Sequence, residues 1–342
     1  MKSIYRLLII VFALLLALDV YAGGGNRTGT GGAAQLLIPV GPRGIAMGES
    51  NIATSYGVEA LFWNPAGVAK MNNSSSVMFS HMSYIADIGV EYGAVSANFE
   101  GFGVISLSLK SLSIDDILVT TTQDPDGTGA VFSPQMLTVG LSYARQLTER
   151  ISVGLTANLI TESLGEADAK GVAFNIGVIY QDLANIDGLS MGIVMKNLGP
   201  QMQYGGSGLL TYANVDDYNR APQYYKIETA KFDLPSSFEL GLGYKPVLDD
   251  INSLQLSGAF LNNNFSADEF KLGAEYGYNN MFFARLGYQL APKIDSDEYL
   301  YGFTAGIGVD IKLEGIGIKV DYAYRDTQYF DGNHIIALSL GF

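Results

Sequence analysis

From Ser75 to the C-terminus, apolar and polar residues alternate with a period of two. Leu137, Val139, Leu141 and Tyr143 are interleaved with Thr138, Gly140, Ser142 and Ala144. Val172, Phe174, Ile176, Val178 and Tyr180 are interleaved with Ala173, Asn175, Gly177, Ile179 and Gln181. The same rhythm returns at Phe303, Ala305, Ile307, Val309 and Ile311, and again at Ile316, Ile318, Val320, Tyr322 and Tyr324. Successive side chains of a strand point to opposite faces, so each segment presents one apolar face and one small or polar face. The pattern predicts about fourteen strands, an even number as in single-chain bacterial barrels. Their expected spans are 75–85, 90–99, 102–112, 136–147, 150–162, 171–181, 188–197, 236–245, 253–262, 269–278, 281–291, 300–313, 316–326 and 333–342.

Alternation alone does not separate a soluble sandwich from a barrel in lipid. The joints do. Those after the second, fourth, tenth and twelfth strands are tight, at Glu100-Gly101, Thr148-Glu149, Asn279-Asn280 and Glu314-Gly315. The segments following the third and seventh strands are long, 113–135 and 198–235. Short turns at one end and long loops at the other are expected of an outer-membrane barrel. Strands running to the short-turn end finish with Tyr143, Tyr180, Tyr244 and Tyr276 or Tyr278, where an aromatic girdle would meet the lipid–water interface. The last strand, HIIALSLGF, puts Ile336, Leu338, Leu340 and terminal Phe342 on one face.

Composition strengthens the membrane reading. Of 342 residues only 16% are charged, and glycine (41), tyrosine (21) and phenylalanine (17) are abundant; soluble domains average about 25% charged residues. The expected fold class is therefore all-β, a transmembrane antiparallel β-barrel of about fourteen strands with a small helical N-terminal plug. Lys2 and Arg6, the apolar run 7–18 and the small-residue site Val20-Tyr21-Ala22 read as a secretory signal peptide, with the mature chain beginning near Gly23. The run is too short for a retained helical span, which needs roughly 20 residues. The organisation is thus 1–22 signal peptide, 23–74 plug and 75–342 barrel. The absence of cysteine excludes disulfides, acyl-cysteine anchoring and thiolate metal sites. A formal net charge of −14 argues against nucleic acid as a partner.

The plug region does not alternate. Residues 23–32 are a glycine-rich lead; Val58, Leu61 and Phe62 share a helical face; and Asn64-Pro65 opens a further turn, with Asn as cap and Pro at its first position. Trp63, the chain's single tryptophan, supplies a large anchor inside the barrel.

The stretch GPRGIAMGESNIATSYGVEALFWNPAGVAKM resembles the N-terminal region shared by FadL-type outer-membrane transporters and their PorV/PorQ relatives. Arg43, Met47, Gly48, Trp63, Asn64, Pro65, Ala66 and Gly67 occupy the positions of that motif, and KNLGP at 196–200 with LPSSFELGLGY at 234–244 is similar to the PorV/PorQ midsection. The resemblance implies a 14-stranded barrel with an N-terminal hatch, seated in outer-membrane lipid; separately, the terminal aromatic Phe342 resembles the C-terminal signature of bacterial outer-membrane barrels read by the barrel assembly machinery. It implies a non-catalytic surface protein without cofactor, associated with type IX-like secretion through secretion-system subunits or secreted cargo domains. The alternative it implies is a FadL-like channel for hydrophobic small molecules.

Candidate chemistry beyond this is sparse. His81 and His334 would lie near the closing seam, but two histidines without further converging ligands make a poor metal site. Ser80, Ser83 and Asp87 stand near His81 without a nucleophile-elbow motif. DPDGTG at 124–129 opens like a calcium loop but has Gln135 where a bidentate glutamate is required. GTGGAA at 29–34 lacks the strand and the Lys-Ser/Thr end of a phosphate loop. Glu239, Lys245, Lys271, Glu275, Arg285, Asp310, Lys312, Lys319, Asp321 and Arg325 fall on the polar face of strands eight to thirteen. Charges facing lipid cost about 2–4 kcal/mol at midplane, so these are expected in the lumen, with Arg43 of the plug partnering one of the carboxylates. Tyr204, Tyr212, Tyr218, Tyr224 and Tyr225 crowd the second long connection, either as a protein-binding surface or as a self-packed cap over the barrel mouth.

Overall fold

A computed structural model describes residues 31–71, 73–214, 221–294 and 298–342. The signal peptide expected at 1–22 and Tyr218 lie outside the described residues. Fourteen strands close a barrel, in a sheet to which the short strand Tyr204–Gly206 adds by pairing with residues 167–169: β1 Ser75–Ser83, β2 Gly89–Phe99, β3 Gly103–Ser113, β4 Gln135–Gln146, β5 Ile151–Leu164, β6 Ala167–Gln181 and β7 Leu189–Leu198. The second half comprises β8 Ser237–Tyr244, β9 Asn252–Asn263, β10 Glu269–Tyr278, β11 Phe282–Leu290, β12 Tyr301–Leu313, β13 Ile316–Thr327 and β14 Asn333–Gly341. Each strand is antiparallel to its neighbours in sequence, and β14 returns to pair with β1 through registers such as Ser80↔Ala337 and Met78↔Ser339. The sheet is therefore closed, and no backbone edge faces lipid.

Side-chain parity follows the sequence. Ile307 is 61% exposed, while Gly306 and Gly308 on either side face inward. Phe79, Leu107, Leu141, Leu159, Leu286 and Leu338 belong to the same exposed outer face, a burial pattern that only a surrounding apolar phase makes favourable. Among the described residues no helix is long and apolar enough to cross a membrane; the crossing is made by strands. The short turns gather at one end. At the other, residues 114–134 and 199–236 form the long connections, each with a small hairpin: Ile117–Leu118 with Val131–Phe132, and Leu210–Ala213 with Gln223–Lys226.

The N-terminal segment runs through the lumen as short turns: Ala34–Leu37 (3-10), α1 Pro42–Ala46, Asn51–Ala53 (3-10), α2 Ala60–Trp63 and Pro65–Lys70 (3-10). It starts among Ile160, Ala169 and Met202 near the long-loop mouth. It ends at the short-turn rim, where Ser74 donates to the Phe342 carbonyl. Glycines on the inner wall let two backbones touch: a Cβ on Gly154 would fall 2.3 Å from the Pro65 carbonyl carbon, and one on Gly287 would fall 2.0 Å from the Gly48 nitrogen. Gly177, Gly192, Gly241 and Gly273 serve the same close approach, against Asn64, Ile52 and Met47.

Candidate functional site

The site is the occupied lumen. Its lower part is set by Asn64, whose extended backbone ends α2 and whose side chain accepts from the Ala66 N–H at 3.1 Å, with Pro65 at the first position of the following turn. The same side chain donates to the Ile52 carbonyl at 3.0 Å and to the Val178 carbonyl of β6 at 3.2 Å. Asn64 therefore ties two turns of the luminal segment to the wall. Trp63 is buried against Phe62, edge to face with ring centres 5.0 Å apart. Met47 and Ala66 are fully buried, Gly48 turns with φ of 62°, and a Cβ on Gly67 would meet the Ser55 carbonyl at 2.4 Å.

Two buried ion networks join segment and barrel. In the first, Arg43 meets Glu275 with both ends of its fork, Nε to Oε2 at 2.8 Å and Nη2 to Oε1 at 3.0 Å. Glu275 also accepts from Arg285 Nε at 2.6 Å. Arg285 continues to Asp321 at 2.7 Å, and Lys319 approaches Asp321 at 3.2 Å. In the second, Glu49 of the segment accepts from Lys271 at 2.7 Å and from Arg325 at 3.0 Å. Arg325 lies 4.0 Å above the Tyr301 ring. Smaller links complete the seating, Gly48 N–H to Thr304 at 3.0 Å and Ser50 with Ser257 at 2.6 Å, while within the segment Gly44 N–H donates to Glu59 at 2.9 Å.

Burial pushes the Glu49 carboxyl up, but Lys271 and Arg325 pull it down by more, leaving it at about 2 against a usual 4.5. A carboxyl depressed on folding contributes stability that is present above its unfolded value and lost as pH falls through the folded one. Hydrogen-exchange protection of the segment around residues 44–52 is therefore expected to hold from neutral pH down to about 4.5 and to fall from there towards about 2. In Glu49→Gln that acid step shrinks, and what remains belongs to the Arg43–Glu275 pair. Protection that is flat across the window in the native protein counts against this account.

The ten charges expected in the lumen divide by depth. Glu239, Lys271, Glu275, Arg285, Asp321 and Arg325 are buried inside; Lys319 and Asp310 are half-buried on the inner face. Lys245 and Lys312 correct the expectation. Both are exposed. Lys245 follows the last residue of β8, and Lys312 stands one residue from the end of β12, so both reach the short-turn rim, where water rather than lumen receives the charge. The expectation covered strands eight to thirteen only, and buried charges also lie on other strands and on the segment, among them Glu49, Glu59, Lys110, Glu162 and Lys196. Lys196, within KNLGP, pairs with Glu239 at 2.8 Å.

Tyr204 also departs from expectation as a surface contact. Its hydroxyl donates to buried Glu162, which also accepts from Gln35 of the segment at 2.8 Å, and its ring packs on Phe232 at 5.5 Å. This part of the long connection is a cap over the mouth. Tyr212 and Tyr224, paired 5.0 Å apart across the outer hairpin, are 61% and 73% exposed, and Tyr225 is exposed as well. Ser80 points inward, whereas His81 faces outward and contacts Glu91 at 2.6 Å, so the two cannot act together. His334 contacts Tyr322 at 2.7 Å, and among the described residues no His, Cys, Asp and Glu group converges as a metal site. Asp124 sits in an ordinary exposed turn.

The family profile of type IX secretion system protein PorV matches residues 22–263. No curated protein matches the chain. Among solved structures, the Ralstonia pickettii toluene transporter TbuX is similar, with a TM-score of 0.56 and 15% identity over 89% of this chain and 98% of that one. The Pseudomonas putida toluene transporter TodX gives 0.54 and 14%, covering 89% of this chain and 97% of that one. A Pseudomonas aeruginosa FadL homologue gives 0.51 and 12%, covering 89% and 98%. At these identities the likeness is one of fold.

Proposed function

This chain belongs to the PorV family of type IX secretion system proteins and is an integral outer-membrane barrel, and on that basis we propose that it serves protein secretion at the cell surface without catalysis. In this reading residues 1–22 direct export, and the N-terminal segment is a plug that stays in place. Secretion-system subunits or secreted cargo domains are received on the long outer connections. The observation that carries the reading is the lumen itself. Its centre is crossed by the Arg43–Glu275–Arg285–Asp321 chain of charges, all buried and mutually paired. Moving an apolar solute past that chain would require separating buried ion pairs. The exposed Tyr212–Tyr224 pair, by contrast, offers the large amphipathic rings that dominate protein interfaces.

The alternative is a FadL-like channel for hydrophobic small molecules. It is supported by the fold shared with the toluene transporters TbuX and TodX. The charged lumen weighs against it. Affinity capture of the tagged full chain from outer membranes is expected to bring down secretion-system subunits or cargo domains, and a deletion strain to retain cargo in the periplasm. Changing Tyr212 and Tyr224 together to serine should weaken capture by about tenfold or more. Intact secretion combined with lost uptake of a lipophilic solute would overturn the proposal in favour of the channel.

A further inference from the structure

Beside the luminal segment lies a cavity whose lining includes Lys110, Lys196, Thr138, Asn158, Asn175 and Phe62. No carboxylate lines it. In a chain with a net charge of −14, this is a local excess of positive charge. The two ammonium groups flank one ring, with Lys110 Nζ 4.9 Å and Lys196 Nζ 5.0 Å from the centre of Phe62. Lys196 is balanced by Glu239 at 2.8 Å. Lys110 is not balanced. It is 5% exposed, donates one hydrogen bond to the Ile38 carbonyl at 3.0 Å, and has no acidic partner among the described residues. Thr138, 7% exposed and on the same wall, has a buried hydroxyl without a hydrogen-bond partner.

A buried lysine amine without a counter-charge and a buried hydroxyl without a partner both leave hydrogen-bonding capacity unmet, which is unfavourable. One added group would satisfy both. We propose that this cavity binds a small oxyanion, such as sulfate, phosphate or a short carboxylate, held by the Lys110 ammonium and the Thr138 hydroxyl, with the amides of Asn158 and Asn175 as further donors. Leu36, Leu61 and Phe62 give the cavity an apolar side, but the hydroxyls and amides of Thr138, Asn158 and Asn175 stand beside the two lysine amines, a donor set that suits a compact anion. Ile38 and Phe62 belong to the N-terminal segment, whereas Lys110 belongs to β3 and Thr138 to β4. The anion would therefore neutralise the barrel wall at the point where the segment touches it, and its binding would strengthen the seating of the segment.

The single tryptophan gives the readout, because Lys196 Nζ lies 5.5 Å from the Trp63 ring. The full chain in non-ionic detergent is titrated with sodium sulfate and, at matched ionic strength, with sodium chloride, while Trp63 emission is followed. A saturable response to sulfate beyond that to chloride is expected, weakened by about tenfold or more in Lys110→Met. Thr138→Val preserves shape and should weaken binding by about three- to tenfold, which provides a second variant should Lys110→Met fail to fold. The proposal is overturned by a sulfate response no different from chloride, or by unchanged affinity in the folded variants. A response to decanoate but not to sulfate or acetate also overturns it, since that would assign the cavity to an amphiphile.

Discussion

Glu275→Gln is expected to loosen the N-terminal segment while leaving the barrel closed. Glu275 is shared by Arg43 of the segment and Arg285 of β11, and all three are buried. The amide retains one acceptor but no charge. Arg285 keeps Asp321, whereas Arg43 is left with a 3.3 Å bond to the Thr54 carbonyl and the Tyr56 ring 4.5 Å away. Removing one member of a buried ion pair typically costs about 3–5 kcal/mol because the remaining charge stays desolvated. Local opening of residues 43–55, followed by hydrogen exchange, should thus increase by two orders of magnitude or more, roughly what that cost implies. The strand amides should be unaffected, since the ladder does not depend on this pair. Arg43→Gln in the same background should cost little further, because the two residues act through one contact. If exchange of 43–55 in Glu275→Gln matched that of the native chain, the ion network would not be what seats the segment.

Gly287→Val should have the second large effect, through volume rather than charge. A Cβ at this position would stand 2.0 Å from the Gly48 nitrogen and 2.4 Å from the Met47 carbonyl carbon, both backbone atoms. No rotamer relieves such a clash, so the Met47–Gly48 turn must leave the wall of β11, at a cost at or above the roughly 1–3 kcal/mol usual for overpacking. Displacing that turn also breaks the Gly48 to Thr304 hydrogen bond and shifts Glu49 away from Lys271 and Arg325. Ion conductance in planar bilayers is expected to rise from a near-closed baseline, as a water path opens where the segment was. Gly93→Val is the control, since an added Cβ there meets nothing within 4 Å. Equal conductance in the two variants would refute the idea that the segment closes the lumen by backbone contact.

How far the sequence could be read follows from what each signal measures. Alternation reports which face a residue occupies, and every one of the fourteen strands was legible from it because lipid enforces the pattern over the whole barrel circumference. It does not report depth. Lys245 and Lys312 share parity with Glu239 and Lys271 but stand at the rim, and only the course of the strands separates them. Lys110 was equally legible, alternating with Leu109 on the face of Ser106 and Ser108, yet nothing in the sequence indicates that it lacks a carboxylate neighbour. The luminal segment has no period, because its turns are fixed by individual contacts with the wall. Asn64-Pro65 was readable as a cap with its following turn since capping is local. The bond from Asn64 to Val178 spans 114 residues and was not.

One consequence of the segment's course concerns the order of assembly. The chain passes from the long-loop mouth, through the interior, to the rim at Ser74 before its first strand begins. Glu49 then waits for Arg325, 276 residues later, and β1 for β14. A closed cylinder cannot be threaded easily by a segment this thick, so the wall is best assembled around a chain it already contains, with the β1–β14 seam sealing last. Contacts of such long sequence separation fold slowly. Until the seam forms, Arg43, Glu49 and their partners remain open to water, and the final pairing of strands both completes the sheet and dries the interior.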